Sequence, residues 1–447
     1  MVKADSLGWK IAGKAEYALP ELDLNPEEER LLVALLDAFE EEQEPDEGAL
    51  RALLKKMCAR HSLLLGKESA ERVLRAATES AGYGPFGEML ADDELEEIAV
   101  TGVNEPVRVF HRSRGWLETN CTITSRDYCV NAANRMARSL GRRLTLQSPR
   151  LNAVLPNGSR LHATIKPLAL NGVELTIRKF REKPFTVPEL VENRTLSADA
   201  AAFLWLALYG ETSLVVAGST GSGKTTTLNA LFSFVPLNDR VVITEETPEI
   251  NVPHKHKVCL VANEELGIGL KDLVKDSLRM RPDRVIIGEI RDAPEAAALF
   301  DSLLSGQARG SYATMHASTG DEALARLKTL GGREDEVNAI DLVLVQRRFL
   351  SYDKATRTQS EKRRVTEISE VKCGKARPLY AYVPETDSLE RTANYSSNAV
   401  FAELSKNYGF DRRGFQAEHA KRAVLLSKNN WKDNAGFTQA VNDYLYG

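Results

Sequence analysis

The sequence predicts an α/β protein, and three observations predict it. From residue 196 onward, apolar runs of strand length alternate with helical stretches, the mark of a parallel sheet covered on both faces. Between Ile98 and Ile177, short β-like runs alternate with turns around one helix, which reads as a small α+β domain. Ahead of both, residues 26–80 carry helical apolar spacing.

The helical start is argued from its caps. Pro26 suits a first helical position, and Glu27, Glu28 and Glu29 suit the positive end of a helix dipole. The run Arg30–Leu36 then supplies the apolar stripe, and the acidic run 40–47 breaks it as a solvated face or loop. In the next domain Ile98–Val100, Val107–Phe110 and Leu175–Ile177 read as strands. Asn157-Gly158 and Asn171-Gly172 read as turns, and Arg126–Leu140 as a helix. The polar stretch Arg178–Pro184 begins a connector, and residues 375–447 read as mostly helical. The expected division is therefore 1–80 helical, 81–182 α+β, 183–195 linker, 196–374 α/β and 375–447 helical.

Composition narrows the function classes. The chain has 447 residues, 43% hydrophobic and 27% charged, ordinary for a globular protein of two or three domains. A formal net charge of −4 gives no global pull toward nucleic acid or anionic membrane. The five cysteines, Cys58, Cys121, Cys129, Cys259 and Cys373, form no Cys-x-x-Cys pair, so buried free thiols are expected rather than a disulfide framework or a zinc cage. His254-Lys255-His256 is a weak metal signal for the same reason. No apolar run approaches the roughly 18 residues of a membrane span, and Met1–Ser6 lacks the apolar stretch of a secretory signal, so a cytoplasmic location is expected.

The sharpest local feature is Gly218-Ser219-Thr220-Gly221-Ser222-Gly223-Lys224-Thr225, which matches G-x-x-x-x-G-K-[ST]. It follows the apolar run Ser213–Ala217 and precedes a helical run from Thr226 to Phe232, so strand, loop and helix come in the order a phosphate cradle needs. Glycines let the backbone wrap closely round phosphates, and successive N–H groups with a helix N-terminus bind the anion. Lys224 is placed to bridge the β and γ phosphates of ATP, and Thr225 to ligate Mg²⁺.

Acids at strand ends would complete such a site. Val285-Ile286-Ile287-Gly288-Glu289 is an apolar strand ending in a carboxylate, a second candidate Mg²⁺ ligand. Val241-Val242-Ile243 leads into Thr244-Glu245-Glu246-Thr247-Pro248-Glu249. Glu245 is the preferred general base because it leaves the strand first, with Glu249 in reserve. His316, in Thr314–Ser318, stands at a third strand end, where either a γ-phosphate contact or a structural hydrogen bond would suit it.

In this order the motifs resemble those of the type II/IV secretion ATPases, the motors of pilus assembly, type II and type IV secretion and archaeal flagellar rotation. Gly218–Thr225 is similar to their Walker A, Glu245–Glu249 to their Asp box, Leu278–Arg291 to their Walker B region and Ala313–Ser318 to their His box. Upstream, Gly82–Phe86, Leu155–Ala163 and Leu175–Phe180 resemble the family's N-terminal domain, and Arg363–Val371 its closing strand pair, so the resemblance covers roughly residues 80–375. The Asp box departs from the pattern: Glu246 stands where aspartate is usual. The four-cysteine zinc insert of some bacterial members is absent, and the C-terminal stretch around Glu418–Leu426 looks more like archaeal members.

The resemblance implies a RecA-like P-loop NTPase motor domain, with a helical N-terminal segment and a small α+β (PAS-like) domain. It implies ATP and Mg²⁺ as cofactors, with Gly218–Thr226 holding the nucleotide and Thr225 and Glu289 the metal. Glu245, Glu249, Glu289, His316 and Arg279 are implied at the reacting phosphate, where Arg160 or Arg178 would add further positive charge. A homo-hexamer and an integral-membrane platform protein are the implied partners, at the cytoplasmic face of the membrane, with no nucleic acid. Three alternatives stay open: an archaeal flagellar motor, a nucleic-acid translocase on a RecA-like core, and a nucleotide-gated scaffold without useful turnover. The acidic net charge and the lack of an aromatic-basic strip count against the translocase.

Overall fold

The computed structural model describes residues 8–21, 24–39, 47–60, 65–138, 141–181, 184–263, 266–353, 358–428, 431 and 434–446. The chain divides into two compact units: residues 1–182 with 352–360, and residues 183–351 with 361–447.

Unit 1 begins with a short strand β1 (Trp9–Ile11) and three helices, α1 (Pro26–Ala38), α2 (Glu47–Arg60) and α3 (Lys67–Ala81). The start of α1 is closed by a capping box: Asn25 accepts from the N–H groups of Glu27 and Glu28, and Glu28 accepts from that of Asn25. Arg72 on α3 then pairs with the buried Glu28 at 2.5 Å and holds its carboxyl down to about 2. Leu32, Leu35, Leu50, Val73 and Ala77 form the core of this helical group.

The rest of unit 1 is an antiparallel sheet in the order β1-β4-β3-β2-β7-β6-β5, formed with β2 (Leu95–Val100), β3 (Pro106–His111), β4 (Gly115–Ile123), β5 (Arg150–Val154), β6 (Arg160–Ile165) and β7 (Val173–Arg178). Helices α4 (Pro85–Ala91) and α5 (Arg126–Met136) supply Phe86, Met89, Cys129 and Ala133 to its core. The expected C-terminal end of α5, residues 139 and 140, lies outside the described residues.

Unit 2 opens with α6 (Val187–Glu192) and α7 (Ala198–Tyr209). The expected linker over 183–195 is therefore mostly not a linker. Thr186 caps α6, and Val187, Leu190 and Leu196 are buried in the core of unit 2. The sequence hid this because α6 is too short for a helical stripe to show.

The sheet of unit 2 runs β10-β9-β11-β12-β8-β13-β14-β15-β16. Its parallel part comprises β8 (Leu214–Gly218), β9 (Val241–Glu245), β10 (Lys257–Val261), β11 (Arg284–Ile290), β12 (Gly310–Met315) and β13 (Leu342–Asp353). Helices α8 (Lys224–Leu231), α9 (Leu270–Leu278), α10 (Ala293–Leu304), α11 (Gly320–Thr329) and α12 (Glu334–Val337) connect these strands. Alternate residues enter two separate cores: Leu214, Val216, Ile243 and Ile286 go to one face, and Val215, Ala217, Ile287 and Ala313 to the other. A sheet buried on both faces explains why these strands read as continuous apolar runs. The α/β expectation is borne out.

The expected helical tail begins instead with sheet. Strand β14 (Thr358–Lys372) is followed by β15 (Lys375–Val383) and β16 (Ser388–Arg391), with both successive pairings antiparallel. Polar residues on these outer strands mask the alternation that marks a strand. Helices α13 (Ala399–Tyr408), α14 (Arg412–Ser427) and α15 (Asn434–Tyr446) complete the chain, and Leu404, Phe415, Leu426 and Phe437 enter the first of the two cores.

Candidate nucleotide site

Strand β8 lies between β12 and β13, and its carboxyl end turns directly into the glycine-rich loop. Gly223 precedes α8 with φ of 94°, a left-handed conformation that a side chain would strain. A Cβ on Gly218 would lie 2.2 Å from the carbonyl oxygen of Gln346, so only glycine fits against β13 there. The loop therefore delivers backbone N–H groups and the start of α8 to one point.

Lys224, the first residue of α8, is buried. Its ammonium donates to the carbonyls of Gly218 at 3.2 Å and Ser219 at 3.3 Å, and stands 3.9 Å from the Glu289 carboxylate. His316, just beyond β12, completes the cluster: Nε2 lies 2.8 Å from Glu289, and Nδ1 lies 3.0 Å from the Gly218 carbonyl. Glu289 arrives through a β-bulge at Gly288, where the β11–β12 register shifts and the Thr314 hydroxyl donates to the Gly288 carbonyl at 2.6 Å. Burial pushes the Glu289 carboxyl up, but Arg291, His316 and Lys224 outweigh it and hold the group below its ordinary value.

The Asp-box region divides its glutamates among different tasks. Glu245 is buried, and Oε1 accepts from the N–H groups of Glu249 at 2.8 Å and Ile250 at 3.0 Å, so this carboxylate folds its own loop. Glu246 pairs with Arg291, which also holds Glu289 at 2.7 Å. Glu249 accepts from the Thr225 hydroxyl at 3.0 Å. Asn229 on α8 pins that loop, donating to the Glu249 carbonyl at 3.2 Å and accepting from the Asn251 N–H at 3.0 Å.

The structure thus gathers Lys224, Thr225, Glu249, Glu289 and His316 around residues 218–226, with Glu245 one step behind them. Arg279, at the end of α9, has an 84% exposed side chain and pairs with Asp276 at 3.9 Å; no contact ties it to the P-loop among the described residues. Arg160 and Arg178 face each other across β6 and β7 in unit 1. Buried His254 is fixed by its contact with the Pro236 carbonyl at 3.1 Å. Sequence reasoning missed Arg291, Asn229 and Gln346. The last had a signal: a polar residue closing the apolar run Leu342–Val345.

The oxygen donors at hand fit Mg²⁺. The Thr225 hydroxyl and the Glu249 carboxylate meet beside the loop, and no cluster of three His, Cys, Asp or Glu ligands exists among the described residues. Mg²⁺ typically takes one or two carboxylates, water and substrate phosphates rather than an all-protein cage.

Fold and site together define a RecA-like α/β fold with a P-loop at the carboxyl end of its central parallel strand. The chain belongs to the family described as Type II/IV secretion system protein, whose pattern matches residues 98–383. It is 42% identical over 228 residues to an uncharacterised protein of Methanocaldococcus jannaschii, covering 48% of this chain and 31% of that protein. A second uncharacterised protein of the same organism is 31% identical over 366 residues, covering 78% of this chain and 64% of that protein. The chain thus spans about a third and just under two thirds of these two relatives. The type IV secretion system protein VirB11 of Bartonella quintana is 28% identical over 285 residues, 55% of this chain and 79% of that protein. The archaeal-type resemblance is borne out by the two Methanocaldococcus relatives. No helix of the described residues is long and apolar enough to cross a membrane.

Proposed function

We propose that the protein is an ATPase motor of a type II/IV secretion-like system, driving filament assembly or secretion as a homo-hexamer against a membrane platform protein. The observation that carries this reading is the convergence of Lys224, Glu289 and His316, within 3.9 Å of one another, beside the Thr225–Glu249 pair. A sheet buried on both faces fixes Glu289 and His316 at strand ends beside the start of α8 that carries Lys224 and Thr225, and preorganisation of that kind stabilises charge developing on a transferred phosphoryl group. The similarity to a type IV secretion protein supports the biological setting.

In this reading Lys224 binds the β and γ phosphates, and Thr225 with Glu249 or Glu289 holds Mg²⁺, which neutralises phosphate charge when bound. Glu245 is occupied by its two backbone donors, so the water-orienting role falls to Glu249. His316 links Glu289 to the P-loop carbonyl and reads the terminal phosphate. Arg160, Arg178 and Arg279 are proposed as cations supplied to the phosphates from outside this cluster.

The test is ATP turnover by the purified chain with and without Mg²⁺, and by Lys224→Ala. Mg²⁺-dependent hydrolysis lost in the variant is the expected result; normal turnover by Lys224→Ala would overturn the assignment. Stimulation by DNA at moderate salt would move the reading to a translocase.

A further inference from the structure

We propose that Arg348 and Arg363 form a second phosphate-binding element, gripping the part of the nucleotide shared by ATP and ADP, with Glu361 as the counter-ion that the nucleotide displaces. This rests on the P-loop reading above and assigns two residues that reading does not use.

The P-loop has two flanks. On one side of β8 stand β12, β11 and β9, which bring His316, Glu289 and the Asp-box acids. On the other side stand β13 and β14. Gln346 and Arg348 are two apart on β13 and so share a face. Gln346 is buried and accepts from the Thr227 hydroxyl at 2.6 Å, which turns that face toward the P-loop. Arg348 then lies over the middle of the loop: a Cβ on Gly221 would stand 3.4 Å from its guanidinium. Arg363 reaches the same loop from β14, with its Cδ 3.7 Å from the Cβ position of Gly223.

Glu361 and Arg363 are likewise two apart on β14 and share a face. Glu361 stands 3.2 Å from Arg348 and 3.9 Å from Arg363. Among the described residues its buried Oε2 accepts no hydrogen bond, with the Arg363 guanidinium beyond that reach at 3.9 Å. Two guanidiniums, the Lys224 ammonium and a helix N-terminus converge on one loop, an arrangement that suits the charge of a phosphate chain. A guanidinium fork matches phosphate oxygens in geometry as well as charge. The terminal phosphate belongs to the flank of Glu289 and His316, which leaves the arginine flank to the inner phosphates.

The experiment measures binding of ADP and of a non-hydrolysable ATP analogue, together with KM and kcat for ATP, in Arg348→Ala, Arg363→Ala and Glu361→Gln of the full chain. Arg347→Ala is the control, because its guanidinium lies on the opposite face over the Phe349 ring at 5.5 Å. Arg348→Ala and Arg363→Ala are expected to weaken ADP and the analogue by the same factor, about tenfold for a lost charge-assisted bond. KM should rise by that factor while kcat changes far less, and Arg348→Lys should recover part of the loss. Glu361→Gln should tighten ADP binding, and Arg347→Ala should bind as the unchanged chain does. Unaltered ADP affinity in Arg348→Ala and Arg363→Ala overturns the proposal, as does weakening confined to the triphosphate analogue. Weaker ADP binding in Glu361→Gln overturns the counter-ion role. If Lys224→Ala loses ADP while both arginine variants keep it, this inference fails alone; if Lys224→Ala binds ADP normally, the P-loop reading fails first.

Discussion

The parallel sheet of unit 2 carries a charged cluster at each end of its strands, and the two are built on opposite plans. At the amino ends, Arg284 donates to Asp239 at 2.8 Å and to the Tyr312 hydroxyl at 2.9 Å, and Arg309 bridges Asp239 and Asp283 at 2.8 Å each. Arg284 and Tyr312 are fully buried, and the Arg240 N–H closes Asp283 at 2.7 Å. At the carboxyl ends, the buried Lys224 meets the partly exposed Glu289 and His316 beside a loop of backbone donors. The first cluster satisfies itself. The second lies against the glycine-rich loop, whose Gly218 carbonyl meets both Lys224 and His316. Strongly interacting ionisable groups are therefore a poor marker of function until one asks whether their hydrogen-bonding capacity is spent.

That contrast can be broken by substitution at either end. The largest effect is expected from Glu289→Gln, which should retain nucleotide yet slow hydrolysis by about 10²- to 10³-fold through lost electrostatic preorganisation, with no loss of thermal stability; single-turnover kinetics with a thermal melt would read both. Lys224→Ala should cut nucleotide affinity on the order of 100-fold, since it removes a charged contact and its geometry. A lowered melting temperature without weaker binding would mean that the carboxyl-end cluster is structural too.

At the closed end the signs reverse. Asp239→Ala strands the buried Arg284 and should cost about 3–5 kcal/mol of stability, measured by denaturant unfolding, while kcat of the folded protein is kept. The smallest effect concerns His254, packed at the same end with its ring 6.0 Å from that of Phe232. Burial lowers its pKa from 6.5 to about 4. The unfolded chain then binds a proton that the folded chain refuses, so stability falls as pH drops through the window from 6.5 to about 4. The slope is at most about 1.4 kcal/mol per pH unit for one group. His254→Phe should remove that share of the acid-side loss; identical pH profiles for the two proteins would contradict it.

Much of the open end was legible in the sequence, and little of the closed end. Gly218–Thr225 carries its own context, because strand and helix flank it in the chain. Glu289 was visible as the acid closing an apolar strand, although the bulge at Gly288 that aims it was not. Glu245 misled because leaving a strand first says nothing of what the side chain meets; its partners are N–H groups of the loop it precedes. Arg284, Asp239 and Arg309 are ordinary charges until the sheet stacks their strand ends together. The same holds for Arg348, whose meaning depends on β13 lying beside β8 although 130 residues separate it from Gly218.

The short helix α6 has a mechanical corollary. Lys179 is fixed to the carbonyl of Met89 at 3.1 Å, Phe180 donates to Ser159 at 3.1 Å, and Thr186 already caps α6. Thr186, Val187 and Leu190 therefore anchor the chain inside unit 2, so a glycine inserted ahead of Thr186 should leave the melting temperature of that core unchanged, whereas one inserted within α6 should lower it.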